Sequence, residues 1–281
     1  MRFSGCSLRW LLPVLLILSL AAHLSAQNTK QPSGNAAELL RQDESGDAQV
    51  APGWLRKAAE QGNADAQYLL GRMYFTGHEV AKNDAEAARW LRKAAEQGNA
   101  DAQYNLGLMY SGRHGLAKDD AEAVRWLSKA AEQGNADAQY SLGKMYRRGQ
   151  GVPKDDAVAV RWVRKAAEQG NTEAEYFLGL AYNLGEGVPK DAVEAMRWLD
   201  KSAEQGHAEA QFVLGMMYED GEGVPKDDAE AYFWMNLGAS TLDEKDRAAR
   251  DEVGEKLTPA KRLEIQERCR KWVKAHPAIN D

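Results

Sequence analysis

Residues 57–68 read KAAEQGNADAQY, and the same twelve letters return unchanged at 93–104 and 129–140. Two altered copies follow, KAAEQGNTEAEY at 165–176 and KSAEQGHAEAQF at 201–212. Successive copies start 36 residues apart, and Trp54, Trp90, Trp126, Trp162, Trp198 and Trp234 keep the same interval. A period of about 20 to 50 residues marks a stack of supersecondary units, each completed by its neighbour.

Punctuation divides each unit into two helices. In the second copy Gly98 is a left-handed helix stop. Asn99 is placed to cap the next helix, with Asp101 near its positive end. This A helix is predicted to run to about Tyr110. A turn follows, clearest as GQGVPK at 149–154 and GEGVPK at 185–190 and 221–226. Its glycines permit positive φ and its proline blocks helix continuation. Asn83, Asp119, Asp155, Asp191 and Asp227 then cap a B helix. Glu86, Glu122, Glu194 and Glu230 stand where a capping box needs them, with Val158 the exception.

Apolar spacing predicts how the helices meet. Ala87, Trp90, Leu91, Ala94 and Ala95 form one wide stripe of helix B, and Ala102, Leu106, Met109 and Tyr110 the matching stripe of helix A. Small residues, the paired alanines and Gly107, let the axes approach closely. The expected fold is all-α: a right-handed α/α solenoid of about five 36-residue helix–turn–helix repeats over 52–240, with C-terminal capping helices at 241–281.

The repeated motifs carry a resemblance. Trp-x-x-Lys-Ala-Ala-Glu-Gln-Gly-Asn, the Leu-Gly-x-Met-Tyr of helix A and the Gly-x-Gly-Val-Pro-Lys-Asp turn together resemble the Sel-1-like repeat family, a relative of the tetratricopeptide repeats. The resemblance implies a bacterial, exported protein that binds other proteins with A helices along a concave wall. Departures are local. Glu79 replaces the second turn glycine of copy one, Arg113 the first of copy two, and Ala81 and Ala117 stand where later copies have proline, so these two turns are expected to differ. The last B helix has Phe233, Leu237 and Ser240 where earlier ones are charged. That apolar face needs a cover, for which 241–281 offers Thr241-Leu-Asp-Glu and Thr258-Pro259 as helix starts and an Ile265, Cys269, Trp272, Val273 stripe.

At the amino end, Arg2 and Arg9 precede an apolar run from Trp10 to Leu20 and small residues up to Ala26, the pattern of a signal peptide over 1–26. Residues 27–51 read as a polar, flexible leader. The chain is expected to be exported and periplasmic; secretion, or anchoring by an uncleaved amino-terminal segment, are the alternatives. Without 1–26 the chain carries 34 Lys/Arg against 42 Asp/Glu, net −8. That balance argues against nucleic acid as partner. Cys269 would be the only cysteine left, which excludes an internal disulfide.

No catalytic motif stands out. The histidines lack metal-ligand spacing, and no metal or cofactor is expected. His78 and His114 occupy equivalent turn positions and read as loop surface. Cys269 reads as a buried, inert thiol. Glu96, Glu132 and Glu168, with Lys93, Lys129 and Lys165, recur in register as solvated helix-end residues and intrahelical partners. Some disulfide-rich members of the resembled family are linked to penicillin binding or hydrolysis, but a per-repeat cysteine pair and Ser-x-x-Lys are both missing.

Variation between copies marks the surface that carries identity. On helix A the free positions fall at i, i+3 and i+7, one side of the helix. The candidate partner-binding residues are Arg72, Leu108, Lys144, Arg148, Phe177, Leu180, Leu184, Val213 and Met216, with Arg147 adding to the basic portion. Copies one to three offer cations that would steer an acidic segment, and copies four and five an apolar groove. The expected function is a non-catalytic scaffold of the cell envelope, monomeric, holding a peptide or helix of a partner protein. A cell-wall enzyme of β-lactamase-like type and a self-associating structural protein are the rival readings.

Overall fold

The computed structural model describes residues 53–113, 115–239 and 244–276. The proposed signal peptide, the leader, His114 and the first three residues of the Thr241 motif lie outside these. Among the described residues thirteen α-helices run in sequential antiparallel pairs, consistent with an α/α solenoid. They are α1 Gly53–Glu60, α2 Ala64–Thr76, α3 Asp84–Glu96, α4 Ala100–Leu108, α5 Asp120–Glu132, α6 Ala136–Arg148, α7 Asp156–Ala167, α8 Thr172–Leu184, α9 Ala192–Glu204, α10 Ala208–Asp220, α11 Asp228–Gly238, α12 Glu244–Glu255 and α13 Pro259–Ala275. The even-numbered helices from α2 to α10 are the A helices, and the odd-numbered ones from α3 to α11 the B helices.

The repeated block makes each junction. Asn99 and Asn135 sit in extended backbone and accept from the amides of Ala102 and Ala138, both at 2.8 Å, closing the starts of α4 and α6. Their side-chain amides also donate backward, to Asp65 at 3.0 Å and Asp101 at 2.9 Å, each 34 residues upstream. A second ladder is buried. Gln67, Gln103 and Gln139 each donate to a B-helix carbonyl eight residues back, at 2.9 to 3.0 Å. Each then accepts from the next repeat, through Gln97, Gln133 and Gln169 at 2.7 to 2.8 Å. Buried polar groups are tolerated when every donor and acceptor is matched, and a ladder of this kind also fixes register between units.

Within each hairpin a glycine of the A helix lets the B helix close in. A Cβ on Gly143 would lie 2.6 Å from a Val163 methyl, and one on Gly179 2.6 Å from Leu199 Cγ. The second turn glycine is equally constrained: Gly151 and Gly187 have φ of +71° and +73°, and a Cβ on either would stand 2.2 Å from the carbonyl oxygen of Asp120 or Asp156 in the preceding B helix. The two irregular turns differ as expected. Glu79 adopts a left-handed φ of 62° in copy one. In copy two, where Arg113 occupies the usual glycine position, the left-handed residue moves one place earlier to Gly112, φ 85°, and the helix ends in a π turn over Met109–Arg113. Only glycine enters that region without a steric penalty, so the stop follows the glycine.

One expectation about helix B changes. The glutamates three residues past the caps bond other side chains rather than completing boxes: on their own helix, Glu86 accepts from Arg89 and from Trp90 Nε1, both at 3.1 Å at closest, and Glu122 from Arg125 at 2.9 Å, while Glu230 is taken by Arg268 of α13. The recurring lysines are the intrahelical partners expected of them. Lys93, Lys129, Lys165 and Lys201 place their ammonium groups 4.3 to 4.6 Å from the ring centroids of Trp90, Trp126, Trp162 and Trp198. Their stems cover the rings while the charges stay wet.

The apolar last B helix is covered as its sequence demands. Phe233, Trp234 and Met235 are buried in one cluster with Val253 of α12 and Ile265 of α13, and Leu237, Cys269 and Trp272 pack against it. Arg268 lies over the Phe233 ring and pairs with Glu230, and Lys256 meets Glu219 at 2.6 Å. Burial pushes the Cys269 thiol up to about 11, against the weaker pull of Arg268, so it is protonated at neutral pH.

Candidate interaction wall

The variable A-helix positions share one half-exposed strip. Their neighbours on the other side, such as Ala66, Leu70, Ala138 and Leu142, are buried. Arg72, Leu108, Lys144, Phe177, Leu180 and Val213 are partly exposed, while Arg148, Leu184 and Met216 are exposed. Leu184 and Met216, at 59% and 43%, are among the most exposed large apolar side chains described. Phe177 and Val213 are anchored more deeply than a free surface residue, because both pack against the edges of buried clusters.

The structure brings only some of the candidates together. Lys144, Arg148 and Phe177 line one open cleft of about 500 Å³, with Tyr140, Arg147, Lys154 and Glu186. Its floor is aromatic: Tyr140 and Phe177 meet edge to face, centroids 6.3 Å apart at 82°. Each ring carries a cation, with the Lys144 ammonium 4.9 Å from the Tyr140 centroid and the Arg147 guanidinium 4.8 Å from that of Phe177. Arg147 is also held by Glu186 at 2.9 Å, and Lys154 by Asp156 at 3.3 Å. Arg148 forms no ion pair among the described residues. The Tyr140 hydroxyl donates to Glu173 at 3.3 Å, and burial with that carboxylate pushes it up to about 12, so it remains a donor.

Arg72 stands apart from this cleft, its guanidinium 5.9 Å from the Tyr68 centroid. Leu108 lies on the helix between. Leu180, Leu184, Val213 and Met216 continue the strip in the next two copies. Tyr140, Lys154 and Glu186 escaped the sequence reading because comparing copies discards whatever recurs. Tyr140 belongs to the unchanged block and Lys154 to the repeated turn, yet both gain a role from what stands beside them. Counting charges on the turns as well as on the helix would have found Glu186.

Among the described residues no cluster of three or more His, Cys, Asp or Glu is placed to hold a metal ion, and no helix is long and apolar enough to cross a membrane.

The Sel1 repeat family model matches residues 45–63, 64–99, 100–135, 136–171, 172–207 and 208–240, six repeats of which the first is partial. The chain belongs to the Sel1 repeat family. Two solved structures resemble this Sel1 repeat protein over most of its described length. One is c5321 of uropathogenic Escherichia coli, described as a protective antigen with an SLR fold: TM-score 0.72, 36% identity, covering 79% of this chain and 48% of that one. The chain thus spans about half the length of c5321. The other is a Sel1 repeat protein from Oxalobacter formigenes: TM-score 0.64, 35% identity, covering 77% of this chain and 96% of that one. No curated protein matches the chain significantly. The first, partial match extends the repeat array toward the amino end, where α1 supplies the B helix of that unit.

Proposed function

We propose that this Sel1 repeat protein is an exported, non-catalytic scaffold of the cell envelope that holds a peptide segment or helix of another protein along its A-helix wall. The observation that carries the reading is the segregation of variation. On the A helices the positions that differ most between copies fall on one half-exposed strip, while the positions that repeat there are engaged in caps, ladders and core. A surface that is free to vary and continuous across five hairpins suits an extended partner. The periplasm is the setting that the amino-terminal sequence supports.

The test is crosslinking and affinity capture from envelope extract, comparing the parent with Leu180→Asp/Met216→Asp and with a control change on the B-helix side, Arg161→Glu. Captured partners should disappear with the wall variant and persist with the control. Recovery of the same partners by the wall variant would refute the assignment. The enzymatic rival is separated by nitrocefin: hydrolysis should stay at the buffer rate, and steady turnover abolished by one side-chain change would overturn the scaffold reading.

A further inference from the structure

The cleft between α6 and α8 is unlike its counterparts at the other junctions. The positions of Lys144, Arg147 and Arg148 hold Arg72, Phe75 and Thr76 in copy one, Leu108, Ser111 and Gly112 in copy two, and Leu180, Asn183 and Leu184 in copy four. Copy three alone fills all three with cations. With Lys154 the cleft gathers four positive side chains against the single lining carboxylate Glu186, on a chain whose net charge is −6. Two of those cations lie over the Tyr140 and Phe177 rings, so their positions are fixed before any ligand arrives, and less rotamer freedom is lost on binding. The adjoining step of the wall is apolar, with Leu180, Leu184 and Met216.

We propose that this cleft is the specificity site of the wall and takes an acidic peptide segment, its carboxylates on Lys144 and Arg148 and its following apolar residues on the Leu180–Met216 step. The assignment rests on the scaffold reading and adds to it a partner chemistry, a polarity and a position. Guanidinium and ammonium groups over an aromatic floor match carboxylates with apolar flanks. About 500 Å³ accommodates a few side chains, well within the size of a specific site. A long polyanion fits poorly. Glu173 and Asp156 bond or pair with the cleft's own side chains, and the rest of the acidic molecule would repel charge that extends past it.

The probe is a fluorescein-labelled twelve-residue peptide with an Asp/Glu first half and a Leu-rich second half, titrated with the full chain and followed by anisotropy. A Lys-for-Asp/Glu version, a reversed-order version, a dT12 oligonucleotide and inorganic phosphate serve as competitors. The acidic peptide should bind, weaken as salt rises, and lose at least tenfold in affinity with Lys144→Glu/Arg148→Glu. That same variant should now bind the lysine version, a gain that a merely misfolded protein would not show. An unaltered melting transition by circular dichroism confirms the fold. Absence of acidic-peptide binding, equal binding of the lysine version by the parent, or indifference to the double change would overturn the proposal. Tighter binding of dT12 with the same variant sensitivity would overturn it in favour of nucleic acid. If extract partners are lost with Leu180→Asp/Met216→Asp but kept with Lys144→Glu/Arg148→Glu, the scaffold reading survives and the cleft assignment fails alone.

Discussion

Changing Glu175 to Gln should stabilise the protein, and by an amount that depends on pH. Glu175 is 3% exposed and occupies the position held by Gln67, Gln103, Gln139 and Gln211 in the other copies. Those glutamines donate to the carbonyls of Ala59, Ala95, Ala131 and Ala203 at 2.9 to 3.0 Å. An ionised carboxylate has no proton for Ala167, the corresponding carbonyl. Burial raises the Glu175 carboxyl above its ordinary 4.5, although Lys201 and the 2.6 Å bond from Gln205 pull the other way. Restoring the amide adds a hydrogen bond of about 1 kcal/mol net and removes a buried charge, against loss of the charge-assisted Gln205 contact. The net gain expected at pH 7 is about 1 kcal/mol, or a rise of about 2–4 °C in melting temperature for a chain of this size. Because the folded-state carboxyl titrates above the unfolded one, its cost is absent below the unfolded value and complete above the folded value. The advantage of Glu175→Gln should therefore vanish near pH 4 and grow as pH rises toward 7. Urea unfolding followed by circular dichroism at pH 4, 5.5 and 7 measures this. A variant less stable at pH 7, or an advantage that increases on acidification, would refute the reasoning.

Asn135→Ala removes the cap of α6 and the donor to Asp101 together, and should cost about 1–2 kcal/mol in urea unfolding. Burial already raises the Asp101 carboxyl and Asn135 draws it back, so the variant should move that carboxyl further up, visible by NMR titration. Gly143→Ala gains helix propensity but meets Val163 at 2.6 Å, and overpacking should win by about 1–2 kcal/mol, read from the same transition. Cys269, protonated and half-buried, should react with iodoacetamide at pH 8 far more slowly than the same residue in urea. Equal rates would show that the cap over Phe233 is open.

Most of the fold was legible because its signals are local. Gly98 followed by Asn99, or the glycine-proline turn at 185–190, states where a helix stops and the next begins, and the 36-residue spacing of tryptophans states which faces meet. What escaped was contact across units. Nothing in one copy says that Gln97 bonds Gln67, because the two are 30 residues apart and each looks solvated in its own helix. Helix B glutamates such as Glu86 satisfy a capping-box pattern yet bond Arg89 and Trp90, since the Asn83 amide that would complete the box already donates to the Tyr74 carbonyl at 2.9 Å. The wall was half legible. Its variable residues were found by difference, but Tyr140 and Lys154, being repeated, were subtracted along with the architecture.

The junction between the fourth and fifth hairpins shows why the repeated block resists change elsewhere. Glu175 stands where the others have glutamine, and Ser202 replaces an alanine. His207 replaces the capping asparagine, and Thr172 and Glu173 replace the Ala-Asp pair. All but Glu175 are answered by another departure. Ser202 donates to the carbonyl of Thr172 at 2.9 Å, and the Thr172 hydroxyl donates to Gln205 at 2.7 Å. His207 still receives the amide of Ala210, at 3.2 Å, stacks on Tyr176, and turns Nε2 toward Glu173 at 3.4 Å, the partner 34 residues back that Asn99, Asn135 and Asn171 also select. A side chain that both caps its own helix and bonds the previous one cannot vary alone, because two buried or half-buried partners would be left unmatched at once. Independent sequence freedom therefore belongs to positions with neither obligation, and among the A helices those are the positions of the wall.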